Sequence, residues 1–425
     1  MPPGKLQYVR RFEVLPKEAV VEGCYHDNIH GNLTKKLLAY DTIEKMAGAL
    51  RWLEVVCKKA LVAINASRNI HFYDWIAETA SALGDGRLEI FRWEMGTCVP
   101  GSLLGTNGVI SLKQNSLRRL ILVTASPCYI GEGETFHNGK PNQVIDLSAF
   151  RMLEQIDWTA PNAVFIPTLS LAIKQNAGHL RRLHLHFDNW QSFETNIRET
   201  KFLADLPENE AIEAAFAHRF FNVPSPKQYP TRHLFPELRD LFLSDVPLSG
   251  ELANAIDFKS LRSLRIYLCP GWDQFLLRSL SELKEHEKLK TLEIGDNWTE
   301  PATVQSILNK AIRTVKRLET LFLNHLAPVG TLKMWENITY YQKDLRHFVH
   351  QQYKYDEEEA TKAYEERRDL DLGDLSLPSK ELIHQQFSGL NLESIGLSCE
   401  PEYFVSNFYI TRTWMYPCTD VHFAA

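Results

Sequence analysis

Six times along the chain one arrangement of apolar residues returns: a leucine, an apolar residue three positions on, and another two positions later. The clean copies are Leu117-Leu120-Leu122, Leu180-Leu183-Leu185, Leu238-Leu241-Leu243, Leu261-Leu264-Ile266, Leu289-Leu292-Ile294 and Leu318-Leu321-Leu323. Looser copies are Leu50-Leu53-Val55, Leu88-Phe91-Trp93, Leu153-Ile156-Trp158, Leu345-Phe348-His350 and Leu392-Ile395-Leu397. Alternate side chains of a strand share a face, so the last two apolar positions of each copy point inward and the residues between them outward. Between copies the spacing changes to threes and fours. Val304, Ile307, Leu308, Ala311 and Ile312 follow it, as do Phe275, Leu276 and Leu280, and Ile43, Met46 and Leu50. Such spacing predicts half-buried helices.

From Leu238 to Leu345 successive copies start 23, 28, 29 and 27 residues apart. Most of these steps fall in the period of leucine-rich repeats, roughly 20–29 residues. Cys269 and Asn297 stand where that repeat carries Cys or Asn, able to satisfy backbone groups freed as the strand turns away. One strand cannot bury its apolar face alone, so neighbouring copies must stack. The expected fold is therefore α/β: a leucine-rich-repeat solenoid, or horseshoe, with parallel strands on the concave face and helices on the convex face. It would form a single irregular domain over residues 1–425. A doubly wound α/β domain also alternates strands with helices, but it has no fixed L-x-x-L-x-L register. No G-x-G-x-x-G or G-x-x-x-x-G-K-[ST] loop accompanies any strand.

The rhythm breaks in three places. Leu180 and Leu238 are 58 residues apart, which makes 190–237 an irregular repeat or insertion, with an acidic helix candidate at Glu208–Ala217 and a proline-punctuated loop from Pro224 to Pro230. The acidic and basic run within 353–380 reads as a charged, solvated insertion, and Gly131 to Pro141 as a polar surface loop. Trp414, Met415, Tyr416 and Phe423 lie in a last segment, 400–425, expected to cap the exposed end of the core.

Composition narrows the partners. A formal charge of −6 over 425 residues disfavours nucleic acid, whose binders carry a basic surplus. Seven cysteines without a C-x-x-C pair imply neither a disulfide framework nor a zinc knuckle. The expected compartment is intracellular, cytoplasmic or nuclear. Neither a signal-type apolar segment nor a run of 18 apolar residues occurs, so no membrane association is expected.

Candidate chemistry is sparse. His184-x-His186-x-Asp188 sets three potential ligands on one strand face, but three adjacent strand positions rarely converge on one ion. Cys24 with His26 and His30, and the pair His347 and His350, are weaker still. No Ser/His/Asp constellation or G-x-S-x-G motif is present. The expectation is no catalysis, no metal and no cofactor. Function is expected instead on the outward strand positions. Their central row would hold Arg92, Ile121, Asp157, His184, Phe242, Arg265, Glu293 and Phe322. Beside it would run Glu94, Thr159, His186, Ser244, Tyr267 and Asn324. Arg92, Asp157, His184, His186, Phe242, Arg265, Tyr267, Glu293, Phe322 and Asn324 are the candidates for binding a protein partner, since aromatics and arginines among polar groups have the composition of an interface.

The repeats, together with the Tyr8-Val9-Arg10-Arg11-Phe12-Glu13-Val14 segment, resemble the F-box/leucine-rich-repeat proteins, particularly the large fungal set. That resemblance implies a protein substrate held on the concave face for ubiquitin-mediated degradation, with catalysis supplied by partners. Leu15-Pro16-Lys17-Glu18 is similar to the L-P-x-E opening of an F-box, the helical module that docks a cullin-ligase adaptor. Gly23 through Asn32 is polar and turn-rich where the family has an apolar helix. The F-box itself is thus expected to be missing, truncated or lost. A cullin-ligase adaptor would be a partner should an F-box stand upstream. The alternative is an F-box-less scaffold or regulator with no ubiquitin role.

Overall fold

The computed structural model describes residues 11–14, 53–55, 76–94, 99–124, 145–187, 190, 194, 195, 197, 202–203, 211–224, 233–283, 288–296, 299, 301–326, 331–353 and 380–400. The chain divides into two compact units, Met1–Leu238 and Arg239–Ala425. The proposed surface loop at 131–141, the charged run at 356–369, the cap at 401–425, Cys24, His26, His30, Asp188, Asn297 and the helix candidate at Ile43–Leu50 fall outside the described residues.

The first unit carries strands β1 (Arg11–Val14), β2 (Leu53–Val55), β3 (Ile90–Trp93), β4 (Arg119–Val123), β5 (Gln155–Thr159) and β6 (Arg182–His186). Their order is β2-β1-β3-β4-β5-β6, all parallel. Short helices α1 (Gly101–Leu104) and α2 (Val109–Lys113) join β3 to β4, and α3 (Ile166–Asn176) joins β5 to β6. The apolar register becomes two buried ladders. Phe91, Leu120, Ile156 and Leu183 are cross-strand partners, and so are Trp93, Leu122, Trp158 and Leu185. All eight are buried, as are the opening leucines Leu88, Leu117, Leu153 and Leu180. In the irregular stretch after β6, helix α4 (Ile212–Arg219) turns Phe216 into a cluster with Phe187, Trp190, Phe220 and Phe221. The acidic helix expected over Glu208–Ala217 is therefore described from Ile212 on, and aromatic burial holds it.

The second unit alternates strand and helix: β7 (Asp240–Ser244), α5 (Gly250–Ala255), β8 (Ser263–Tyr267), α6 (Trp272–Leu283), β9 (Thr291–Asp296), α7 (Pro301–Thr314), β10 (Thr320–Leu326), α8 (Thr331–Tyr341), β11 (His347–Tyr353), α9 (Lys380–Phe387) and β12 (Ser394–Glu400). The strands are parallel and in sequence order. Leu241, Leu264, Leu292, Leu321, Phe348 and Ile395 align in one buried ladder, and Leu243, Ile266, Ile294, Leu323 and His350 in the next. The helices cover this face: Trp335 of α8 contacts His350, and Phe387 of α9 contacts Phe348.

Backbone bonds repeat as faithfully as side chains. The carbonyl of the residue just before a strand accepts two N–H groups from the start of the next strand. Arg118 does this for Glu154 and Gln155, Arg262 for Lys290 and Thr291, and Glu319 for Arg346 and His347. One residue past β5, β7 and β8 the chain enters the left-handed region, at Ala160, Asp245 and Leu268. These residues lack glycine's freedom, so the conformation is strained. In each the N–H reaches the carbonyl of the following strand, at His186, Tyr267 and Gly295. Among the described residues no helix is long and apolar enough to cross a membrane.

Candidate recognition surface

The outward strand positions form a face opposite the helices, and in the second unit it is aromatic at its centre. Cross-strand pairing sets Phe242, Arg265, Glu293 and Phe322 in one row, and Ser244, Tyr267, Gly295 and Asn324 in the next. The Tyr267 ring lies 5.8 Å from both Phe242 and Phe322, between centroids. A Cβ on Gly295 would come within 2.5 Å of the Tyr267 ring, so glycine leaves the space that ring occupies. The phenol donates to Glu293 Oε2 at 2.6 Å. Burial, then the Glu293 carboxylate, pushes its pKa well above the ordinary value, which keeps it a donor. The Arg265 guanidinium sits 5.8 Å from the Phe242 centroid, bonds Ser263 Oγ and pairs with Asp240 at 3.2 Å. Phe242, Arg265, Tyr267, Glu293, Phe322 and Asn324 are all partly exposed. Six of the sequence-derived candidates thus stand on adjacent strands of this unit.

The first unit's face is more polar. Arg92 pairs with Glu94 on β3 and the loop after it. Ile121 faces out beside Asp157, and Asp157 beside His184. Arg182 Nε donates to His184 Nε2 at 3.1 Å, so the imidazole proton sits on Nδ1, 3.5 Å from Asp157 Oδ2. Because of these neighbours His184 is only 8% exposed. It braces the face more than it offers a contact. His186 stands beside Thr159 and is partly exposed. Among the described residues no group of three or more His, Cys, Asp and Glu is placed to hold a metal ion.

Three buried amides that the leucine register does not reveal each hold one repeat to the one before. Asn176 Oδ1 accepts from the Leu153 N–H, and its Nδ2 donates to the Phe150 and Ala172 carbonyls. Gln114 takes the Leu88 N–H and donates to Gly84. Gln342 takes the Leu318 N–H and donates to Ile312 and Val315. In each case the donating N–H is that of the opening leucine of the preceding copy. The signal was present as an amide three or four residues before Leu117, Leu180 and Leu345. Cys269 does the work expected of it, its thiol directed to the Leu243 and Tyr267 carbonyls. Burial, with the Asp245 charge behind it, raises that thiol's pKa far above the usual range, which leaves it inert as a nucleophile.

A second feature lies beneath the sheet. The Trp335 indole donates to His350 Nδ1 at 3.0 Å, and His350 Nε2 lies 3.0 Å from His325 Nε2. An indole can only donate, so His350 carries its proton on Nε2 and gives it to His325. Burial, then the neighbouring His325, lowers the His350 pKa well below its usual value. No protein-family model matches the chain, and no curated protein matches it either.

Proposed function

We propose that the chain is a non-catalytic recognition scaffold in which each unit is a stretch of leucine-rich-repeat solenoid, strands on a concave face and helices behind. Its outward strand face binds a protein partner. The aromatic row Phe242, Tyr267 and Phe322, flanked by Arg265 and Glu293, carries the reading. Binding energy concentrates in clusters of aromatic and arginine side chains, and here such a cluster occupies a rigid sheet instead of a loop. The bound protein is a substrate for ubiquitin-mediated degradation, and the chain is the substrate-holding part of an F-box-type adaptor. The repeat register and the resemblance of Tyr8-Val9-Arg10-Arg11-Phe12-Glu13-Val14 to the first repeat strand of that family support that role.

Phe242→Ser and Phe322→Ser test the surface, because both side chains are partly exposed and their loss leaves the buried ladders intact. In cells, a protein labelled in proximity to the wild-type chain should be lost with both variants, and its half-life should lengthen when the chain is depleted. Retention by both variants overturns the surface. Loss with an unchanged half-life, and no co-purifying cullin-ligase adaptor, leaves the scaffold without a ubiquitin role.

A further inference from the structure

Along the strand-start edge several cations meet carboxylates. Arg118 and Arg181 share Glu154, Lys290 pairs with Glu319, and Arg346 with Glu393. One cluster of cations beside an aromatic wall does not. Where α7 and α8 end, a cleft of about 340 Å³ opens in the second unit between the turns leading into β10 and β11. Arg313, Lys316 and Lys343 line it, and among the described residues none of them pairs with a carboxylate. Arg313 Nε donates to the Asn337 side chain, and Lys343 to the Thr339 carbonyl. The Asp344 carboxylate at the cleft is paired with Arg317 at 3.0 Å. The other wall is aromatic. Tyr340 is 71% exposed and Tyr341 41%, their rings edge to face at 4.7 Å.

Helix C-termini attract cations, which accounts for Arg313 in the last turn of α7 and for Lys316 and Lys343 just past α7 and α8. It does not account for two tyrosines held out in water beside them. We propose that this cleft binds an acidic linear segment of another protein, its Asp or Glu carboxylates spread over Arg313, Lys316 and Lys343 and its apolar side chains laid on Tyr340 and Tyr341. A compact dianion such as phosphate suits it poorly. Phosphate sites gather backbone N–H groups at helix N-termini, whereas both helices here present carbonyl ends. The volume falls at the small end of ligand sites, about 300–1,000 Å³, enough for a few side chains of an extended chain.

The cleft shares no residue with the sheet face, so either site can fail without the other. The test uses the full chain and a fluorescein-labelled peptide of alternating glutamate and leucine, read by anisotropy. Binding should weaken with added salt and should be absent for the same peptide with glutamine for glutamate. Lys316→Glu and Lys343→Glu, both exposed, should each lower affinity about tenfold or more, the scale of one charged hydrogen bond. Tyr340→Ser should lower affinity while preserving the salt dependence. Matching thermal unfolding of the variants confirms their fold. The proposal is overturned by absence of binding, by equal binding of the glutamine peptide, by unchanged affinity in the lysine variants, or by displacement of the peptide by inorganic phosphate or duplex DNA at comparable concentration.

Discussion

Asn176→Ala isolates how neighbouring repeats are joined. The side chain is fully buried at the end of α3 and makes three bonds of 2.8 Å, to the Leu153 N–H and to the Phe150 and Ala172 carbonyls. The Ala172 carbonyl lies within the helix. The Leu153 N–H and the Phe150 carbonyl belong to the preceding turn. An unsatisfied buried donor or acceptor costs about 1–3 kcal/mol. Two of them cost about 2–6 kcal/mol, less about 0.5 kcal/mol for the better helix propensity of alanine. Against a domain stability of about 5–15 kcal/mol this is a large loss. Asn176→Asp keeps the acceptor but turns an oxygen on the two carbonyls, and it recovers stability only when protonated. Its deficit should shrink as pH falls through the carboxyl range. Urea unfolding of the alanine variant should move to a lower midpoint with an unchanged slope, and exchange of the Leu153 amide should quicken most. A change within about 0.5 kcal/mol, as for the exposed control Lys174→Ala, would show that Asn176 joins nothing.

Leu292→Ala should cost about 2–5 kcal/mol by leaving a void in the buried ladder. Glu293→Ala, facing outward, should cost about 1 kcal/mol for the lost acceptor of the Tyr267 hydroxyl; equal shifts in melting would contradict the facing. The His350 pKa is depressed on folding, so the unfolded chain binds the proton more readily. Stability is full above the unfolded value of about 6.5 and falls progressively as pH drops toward the depressed folded value. The charged and titratable surroundings are His325 and the Trp335 indole, which has no basic site. Unfolding midpoints between neutral and mildly acidic pH should therefore decline, and His350→Phe should flatten that slope while lowering the whole curve; an unchanged slope would exclude His350 as its source.

The architecture was legible wherever burial follows a period. Leu241, Leu264, Leu292 and Leu321 stand opposite one another because each is the second residue of its strand, three positions after the leucine that opens its copy, so sequence register and spatial register coincide. Even the loose copy Leu88-Phe91-Trp93 lands in the core. The strand order β2-β1-β3 was not legible, because pairing partners at a sheet edge depend on which neighbour arrives, and no local residue encodes that. His184 shows a similar limit. Alternation placed it outward, yet it is buried, its ring bonded by Arg182 and beside Asp157, and side-chain rotamers of that kind carry no period. The amides Gln114, Asn176 and Gln342 were not legible because they are polar residues at or just past helix ends, where apolar spacing carries no signal.

These same limits separate stability from function. The two buried ladders and the amide clips use every position that the repeat fixes. The outward rows are free of that constraint, since changing Phe242 or Glu293 disturbs no ladder. Selection for a partner can therefore act on Phe242, Tyr267, Phe322 and their charged neighbours without opposing the fold. Gly295 is the exception that ties the two together. It surrenders a side chain on the outward face so that Tyr267 can lie flat across the sheet, and a glycine in a strand interior weakens the strand. That concession of stability is offset where the position of the ring matters, which makes the aromatic row the place on the sheet face to test for a protein partner.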